Sequence, residues 1–510
     1  MLHRLLQQPG RRARVWLILS CCAAVAGLGV SVPALAQPAA QRSPAALASV
    51  TADQGAGQGS GWPYWKPQGF SGQVSLTDIS GNSPMYSSVF PQVAVDPADA
   101  QVVAVAWRQY TLPVDVTADK GQNADCHVSV STDGGKTYTD TDLIPYFRTS
   151  PPAQALDLWY CNAPWVTFGP DGTLYAGGSV YTPGADNKQG RVMATISHDN
   201  GKTWSPGTWG IDLSHFAPGL TGLNGGTTPE DTPWDGADGF VDQQTGAFYT
   251  QSTSNGSYIV ASDDEGKTFG TVYQPHVPGW VAPTHQAVGT PSSAYGVLAV
   301  PVAASATPIP NETCPCLALW TSTNEGASFS PHFIAPASDF NATGTVRFPI
   351  SAADPRHKGH YAIAVYTPDH LLPKVYYTED SGSTWHSAVP AQPRTGGTVV
   401  QANQVGIGYS TGGQLLVTWR GFYREAGSFD TFAAMLGTNG QFAHSIVVSP
   451  QPSVYPALTY LGNYGVGNGV GDFTTWITAN SKDAYVAFPY APDGLAEDTD
   501  VAQIPLSLLG

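Results

Sequence analysis

Charge is scarce in this chain. Only 12% of its 510 residues are charged, and 22 lysines and arginines face 38 acids, for a net charge of −16. So few cations give nucleic acid or an anionic membrane no electrostatic footing, and neither is expected as a partner. An anionic glycan stays open, because local arginines override a distant net charge. Cysteine is sparse as well. Cys21 and Cys22 lie in the first 36 residues, and Cys126, Cys161, Cys314 and Cys316 are too scattered for a thiolate zinc site. Long apolar runs are missing beyond the N-terminal region, so no later segment could span a membrane. Glycine, proline, tryptophan and tyrosine are abundant instead, which suits an extracellular all-β protein.

The N-terminal region reads as an export signal. Arg11, Arg12 and Arg14 precede an apolar stretch from Val15 to Val32, and Ala34-Leu-Ala36 supplies small residues for cleavage. Residues 1–36 are therefore expected to be a signal peptide, and the protein secreted or periplasmic. Loss of the four arginines of that segment, which holds no acid, takes the net charge from −16 to −20. Residues 37–61, rich in Ala, Gly, Ser and Gln, read as a flexible leader. Residues 62–510 remain for the folded domain, expected to be a monomer.

One motif recurs five times in that domain. The copies run Ser131–Tyr138, Ser197–Trp204, Ser262–Phe269, Ser322–Phe329 and Thr378–Trp385, with starts 66, 65, 60 and 56 positions apart. A repeat of this period marks a modular array. Each copy is a hairpin tip: Asp133 accepts from backbone N–H groups of its own turn, Gly135 adopts φ > 0, and Thr137 closes the turn. Tyr138 then points back into the apolar layer. Ahead of each copy lies a pair of short β-rich runs, as in Phe90–Asp96 followed by Val102–Trp107. The same pair occurs without the motif at Gln404–Trp419 and Gly471–Phe488. Seven units of four antiparallel strands are thus expected, with six as the alternative count, and Phe70–Leu76 closing the ring against the last unit. Cys126 and Cys161, at the junction of units one and two, are placed for a disulfide between neighbours. Cys314-Pro-Cys316 is either a local bridge or a pair of free thiols.

The motif follows the pattern S/T-x-D-x-G-x-T-W/F, so the chain resembles the Asp-box (BNR) repeat proteins, a group that includes sialidases. The resemblance implies a β-propeller with the boxes between third and fourth strands, on the face away from the active site. It also implies a glycan as substrate, and a site of three arginines, a tyrosine nucleophile with a glutamate partner, and an aspartate acid. The Phe-Arg-Ile-Pro signature of sialidases is absent, since blade one opens Val89-Phe-Pro, and the sialidase propeller has six blades.

Residues on the opposite face carry the candidate chemistry. Arg108, Arg347 and Arg420 are placed to bind a carboxylate. Trp159, Tyr160 and Tyr464 are placed to stack on sugar rings, whereas Trp165 and Trp234 read as packing. Hydrolysis needs two carboxylates, and the densest acidic cluster holds Glu230, Asp231 and Asp235, with Asp125, Asp157, Asp238 and Asp472 in other loops. Asp231 and Asp235 are the acid candidates, and Tyr423 and Glu425 the nucleophile and its partner. No cofactor is expected and no residue is assigned to a metal, with Ca²⁺ on the acidic cluster as the alternative. Two other functions compete with glycoside hydrolysis. A lyase acting on a uronate polymer would take its base from His127, His285 or His370. A non-catalytic propeller would bind glycan or protein without turnover.

Overall fold

A computed structural model describes residues 71–81, 86–111, 124–149, 160–181, 190–212, 237–252, 258–273, 289–305, 309–341, 349–392, 395, 397–423, 428–454, 475–492 and 497–510. These form a seven-bladed all-β propeller. Blade one comprises Tyr86–Val95, Val103–Thr111, Ala124–Ser131 and Thr139–Asp142. Blade two comprises Tyr160–Phe168, Leu174–Tyr181, Gly190–Ser197 and Thr208–Asp212. Blade three has Ala237–Val241, Phe248–Ser252 and Tyr258–Ser262, with Tyr273 bridged to Ile259 where a fourth strand lies in the other blades. Blade four has Ser292–Ala294, Val297–Ser305, Cys316–Ser322 and Ser330–Pro336. Blade five has Ile350–Ala353, Tyr361–Tyr366, Pro373–Thr378 and His386–Ala388. Blade six has Val399–Tyr409, Leu415–Tyr423, Ser428–Leu436 and Phe442–Val447. Among the described residues no helix is long and apolar enough to cross a membrane.

Blade seven joins both ends of the domain. Trp476–Ala479, Asp483–Tyr490 and Asp498–Pro505 supply three strands, and Ser75–Asp78 pairs antiparallel with Asp498–Pro505 as the fourth. Ser75–Asp78 becomes the outer strand, so the first and last segments of the domain are held in one blade and the ring is closed.

The seam it creates is acidic. Asp78 sits directly opposite Asp500, and the charge of Asp498 also reaches Asp500. Burial, then the charges of Asp78 and Asp498, push the Asp500 carboxyl up to about 8. In the unfolded chain it titrates near the ordinary 4. The fold therefore holds a proton that the unfolded chain has released, and stability falls as pH rises from about 4 to about 8. Asp500→Asn, which removes the charge at constant size, is expected to raise the melting temperature by several degrees near pH 8.5 and to leave it unchanged near pH 4. Equal shifts at both pH values would refute this account of the seam.

The five repeated motifs are hairpin tips between third and fourth strands. In blade one, the Ser131 hydroxyl donates to Asp133 Oδ1 at 2.8 Å and accepts from the Gly135 N–H at 2.8 Å. Thr137 donates its N–H and its hydroxyl to the two oxygens of Asp133, at 2.9 and 2.7 Å. The pattern recurs around Asp199, Asp264 and Asp380, whose carboxyls these bonds, led by the threonine hydroxyl, hold down at about 2. In blade four Asn324 takes the place of the aspartate and accepts from the Ser328 N–H at 2.9 Å. The residue before the glycine also has positive φ, at Gly134, Asn200, Glu265, Glu325 and Ser381, so the tips need two left-handed residues in succession.

Glycines and aromatics of the repeated motif fasten each blade to the one before it. Tyr138 packs in the cluster containing Tyr485 of blade seven, and Trp204 packs with Val130 of blade one. Between blades two and three the fastener is Trp165, fully buried, and a Cβ at Gly177 or Gly239 would lie 2.2 or 2.3 Å from its ring. Trp165 is thus packing, as its position after a proline suggests.

Candidate active site

First-to-second turns and the motif hairpin tips share one rim, as where the Gly134 N–H donates to Gln101 O. Asn480 of blade seven donates to Ala100 O of blade one, and Gln244 of blade three donates to Pro355 O of blade five. From this rim a cavity of about 430 Å³ runs inward between the first strands, with Gln92, Asp238, Thr290, Ser351, Ile407 and Trp476 among its walls. The opposite rim carries the second-to-third loops and the links between blades. Most of those segments lie outside the described residues, and with them Asp231, Asp235, Glu425, Arg347, Trp159 and Tyr464. The alternative acids and bases Asp157, Glu230, Asp472 and His285, along with Trp234, also fall outside. Tyr160 is described only through its backbone, which opens blade two opposite Tyr181.

Among the described residues, the blade-six end of this rim holds a tyrosine–aspartate pair. Tyr423 ends the second strand, and its hydroxyl donates to Asp430 Oδ2 at 2.5 Å across to the third. The local structure explains the meeting: Gly421 lies opposite Asp430, so Tyr423, two residues on, projects from the same face of the sheet. Gly421 has no side chain to stand between them. Asp430 is 1% exposed, and burial pushes its carboxyl up to about 7, against the restraining hydrogen bond from Tyr423. Burial and the neighbouring Asp430 together push the Tyr423 hydroxyl up as well. Asp430 is absent from the sequence-based candidates. A seven-residue spacing across a hairpin loop has no signature in a chain rich in isolated aspartates.

Two expectations for the arginines need revision. Arg108 and Arg420 were expected to face the open funnel, yet they are 2% and 0% exposed. Arg108 donates to the Asn162 side chain of blade two and lies over the Phe90 ring, 5.7 Å from its centroid. Arg420 lies 4.8 Å over the Phe429 ring. Strand alternation also separates Arg420 from Tyr423: Tyr423 packs with Trp419 and Tyr366 towards blade five, while Leu416, on the Arg420 side, packs towards blade seven. Asn403, opposite Arg420 in the ladder, is fully buried, and neither amide atom has a hydrogen-bond partner among the described residues.

The histidines separate. His127 is no loop residue but lies within the third strand of blade one, 8% exposed, stacked on Trp107 at 4.3 Å and paired with Asp140 at 2.9 Å. It is part of the blade packing. His370 does sit in the second-to-third loop of blade five. Its ring centroid is 4.4 Å from that of Tyr366, burial lowers its pKa, and its Nε2 is buried without a hydrogen-bond partner among the described residues. Asp125 lies on a strand opposite Gln109, its carboxyl raised by burial and then by Asp142, and Asp238 lies buried on the first strand of blade three.

Cys126 and Cys161 form a disulfide with Cα atoms 5.6 Å apart, joining blade one to blade two. Cys126 lies on the third strand of its blade and not in a loop. Cys314 and Cys316 are bonded to each other. No cysteine among the described residues is therefore left as a thiolate ligand. The one cluster of metal-ligand type among the described residues is Asp354, His357 and His360, at the rim of the motif tips.

No family model matches the chain, and no curated protein does. Solved structures do align. A protein of unknown function from Dyadobacter fermentans is 16% identical over 84% of this chain and 99% of its own, with a TM-score of 0.45. The Hadza microbial sialidase Hz136 is 12% identical over 83% of this chain and 66% of its own, with a TM-score of 0.43. The GH93 α-L-arabinofuranosidase of Fusarium graminearum, solved with arabinobiose, is 11% identical over 86% and 99%, with a TM-score of 0.46.

Proposed function

We propose that this protein is an exported, sialidase-like glycoside hydrolase acting on an extracellular glycan at the rim opposite the boxes. The Tyr423–Asp430 pair carries the proposal. A tyrosine is a weak nucleophile until a base takes its proton, and here a carboxylate already accepts it at 2.5 Å. A base near pKa 7 is also stronger than an ordinary carboxylate. Because burial raises the tyrosine's own pKa, its proton leaves during attack and not before it. Asp430 takes the part first assigned to Glu425. Asp231 or Asp235 is assigned as the acid, Trp159, Tyr160 and Tyr464 as stacking surfaces, and Arg347 as the arginine offered to a carboxylate. Arg108 and Arg420 support the floor from within the blades.

His370 beside Tyr366 favours a second reading. A neutral imidazole next to a phenol suits abstraction of a C5 proton from a uronate, as in a polysaccharide lyase. The purified protein should therefore be screened against sialosides, arabinans and uronate polymers with both a reducing-end assay and ultraviolet detection of unsaturated product. Reducing ends without ultraviolet absorbance are expected. Absorbance would select the lyase, and binding without either signal would select a non-catalytic propeller.

A further inference from the structure

Aspartates that open first-to-second turns do structural work elsewhere in the ring. Asp242 of blade three accepts from the N–H groups of Gln244 and Thr245 through Oδ1, at 2.9 and 3.0 Å. Its Oδ2 accepts from the Ser293 hydroxyl and the Gly296 N–H of blade four, at 2.8 and 2.7 Å. Blade five keeps the first half of this arrangement, with the Arg356 N–H donating to Asp354 Oδ1 at 2.8 Å. The second half is replaced. Asp354 Oδ2 lies 2.8 Å from Nδ1 of His357 and 3.8 Å from Nδ1 of His360.

The backbone holds this triangle. The Asp354 N–H donates to His360 O at 3.0 Å and the His360 N–H to His357 O at 3.3 Å, so the spacing Asp-x-x-His-x-x-His folds back on itself. The two rings stack with centroids 5.0 Å apart, and the three ligand atoms lie within 4.8 Å of one another. Blade six is cut back alongside: a Cβ at Gly413, where φ is +83°, would lie 3.0 Å from the His357 ring and 3.1 Å from Asp354 Oδ2. Asp354 is 1% exposed, whereas the His357 and His360 side chains are 54% and 28% exposed, so the cluster has a buried anchor and an open side. Hydrogen bonding alone does not account for it, because 3.8 Å is too long and leaves His360 Nδ1 turned towards a carboxylate it does not bond.

We propose that this turn binds one divalent transition-metal ion of the zinc type through Asp354 Oδ2, His357 Nδ1 and His360 Nδ1. Two imidazoles and one carboxylate form a donor set for zinc, cobalt or nickel, unlike the all-oxygen cages of calcium and magnesium. Bonds of about 2.0–2.2 Å in a tetrahedron separate the ligand atoms by about 3.3 Å. The observed 2.8 and 3.8 Å lie on either side of that value. Three protein ligands leave the fourth position to water or to a group from outside. The ion would brace the turn whose Pro355 and Arg356 line the mouth of the central cavity.

The test uses untagged, chelator-treated protein titrated with Zn²⁺ in a calorimeter, followed by thermal melting with and without the ion. One Zn²⁺ per chain and a higher melting temperature are expected. His357→Gln/His360→Gln, which alters two partly exposed side chains, is expected to bind at least tenfold more weakly and to lose the thermal shift. Single His360→Gln loaded with Co²⁺ gives an independent reading, since the visible absorption of tetrahedral cobalt should disappear even if the double variant folds poorly. The proposal is overturned if no stoichiometric binding occurs. It is likewise overturned if the variants bind as the wild type does, or if the cobalt spectrum survives the single substitution.

Discussion

Replacing Tyr423 with phenylalanine is expected to lower kcat/KM on a responsive glycan by about a thousandfold or more, with KM little changed. The substitution removes one oxygen from a residue that is 3% exposed, so the ring still fills its place in the cluster that blades five and six share. What disappears is the nucleophile and a hydrogen bond that holds the Asp430 carboxyl down. That carboxyl should then rise further above 7, which direct titration in the variant would detect. The wild-type rate should itself depend on Asp430. A base must be ionised to act, so activity is expected to climb with pH and level off above about 7. Asp430→Asn should flatten that limb and lose activity to a similar degree. A Tyr423→Phe protein that turns over substrate at the wild-type rate would remove the chemical basis of the hydrolase reading.

The second large effect concerns stability. Converting Cys126 and Cys161 together to alanine is expected to cost about 4 kcal/mol, from the chain entropy released when a loop of this length is opened in the unfolded state. The separation is 35 residues. Both positions are fully buried, and a Cβ on neighbouring Gly178 would lie 2.7 and 3.2 Å from the two sulfurs, so the bridge is enclosed by blade two. Over a domain of this size the loss corresponds to a fall in melting temperature on the order of 5 °C. The pair Cys314→Ala/Cys316→Ala is the contrast. Its loop is so short that little entropy is at stake. A denaturant midpoint unmoved by loss of Cys126–Cys161, or moved no more than by loss of Cys314–Cys316, would contradict the entropic account.

Both predictions rest on features of unequal visibility in the chain. The Cys126–Cys161 pairing could be suspected once blades were counted, because the residues flank a blade junction. The Tyr423–Asp430 pair could not be found that way. Tyr423 was singled out with Glu425, its neighbour in sequence, whereas Asp430 is brought to it by a hairpin and by the absence of a side chain at Gly421. The burial of two arginines was hidden for a related reason. Arg108 and Arg420 each follow a tryptophan and lie three residues inside their second strands, which run on to Thr111 and Tyr423, and sequence reveals neither that extension nor the enclosure around it. Both guanidinium groups are covered by the adjoining packing, Arg108 against Asn162 and Phe90. His127 looked like a loop base and proved to be a strand residue stacked on Trp107.

Sequence alone determined the repeating unit, the positions of the hairpin tips and the closing of the ring by an N-terminal strand, and narrowed the blade count to seven or six. These follow from local rules: turn residues with set hydrogen-bonding capacity, alternation of apolar side chains, and the need of each sheet to cover its edges. Tertiary structure alone decided which polar groups meet. Asp430 reaches Tyr423 across a hairpin, and Asp354 is left facing two imidazoles where Asp242 engages the next blade. Such meetings depend on register and on which face of a blade a residue occupies, and a shift of one position reverses both.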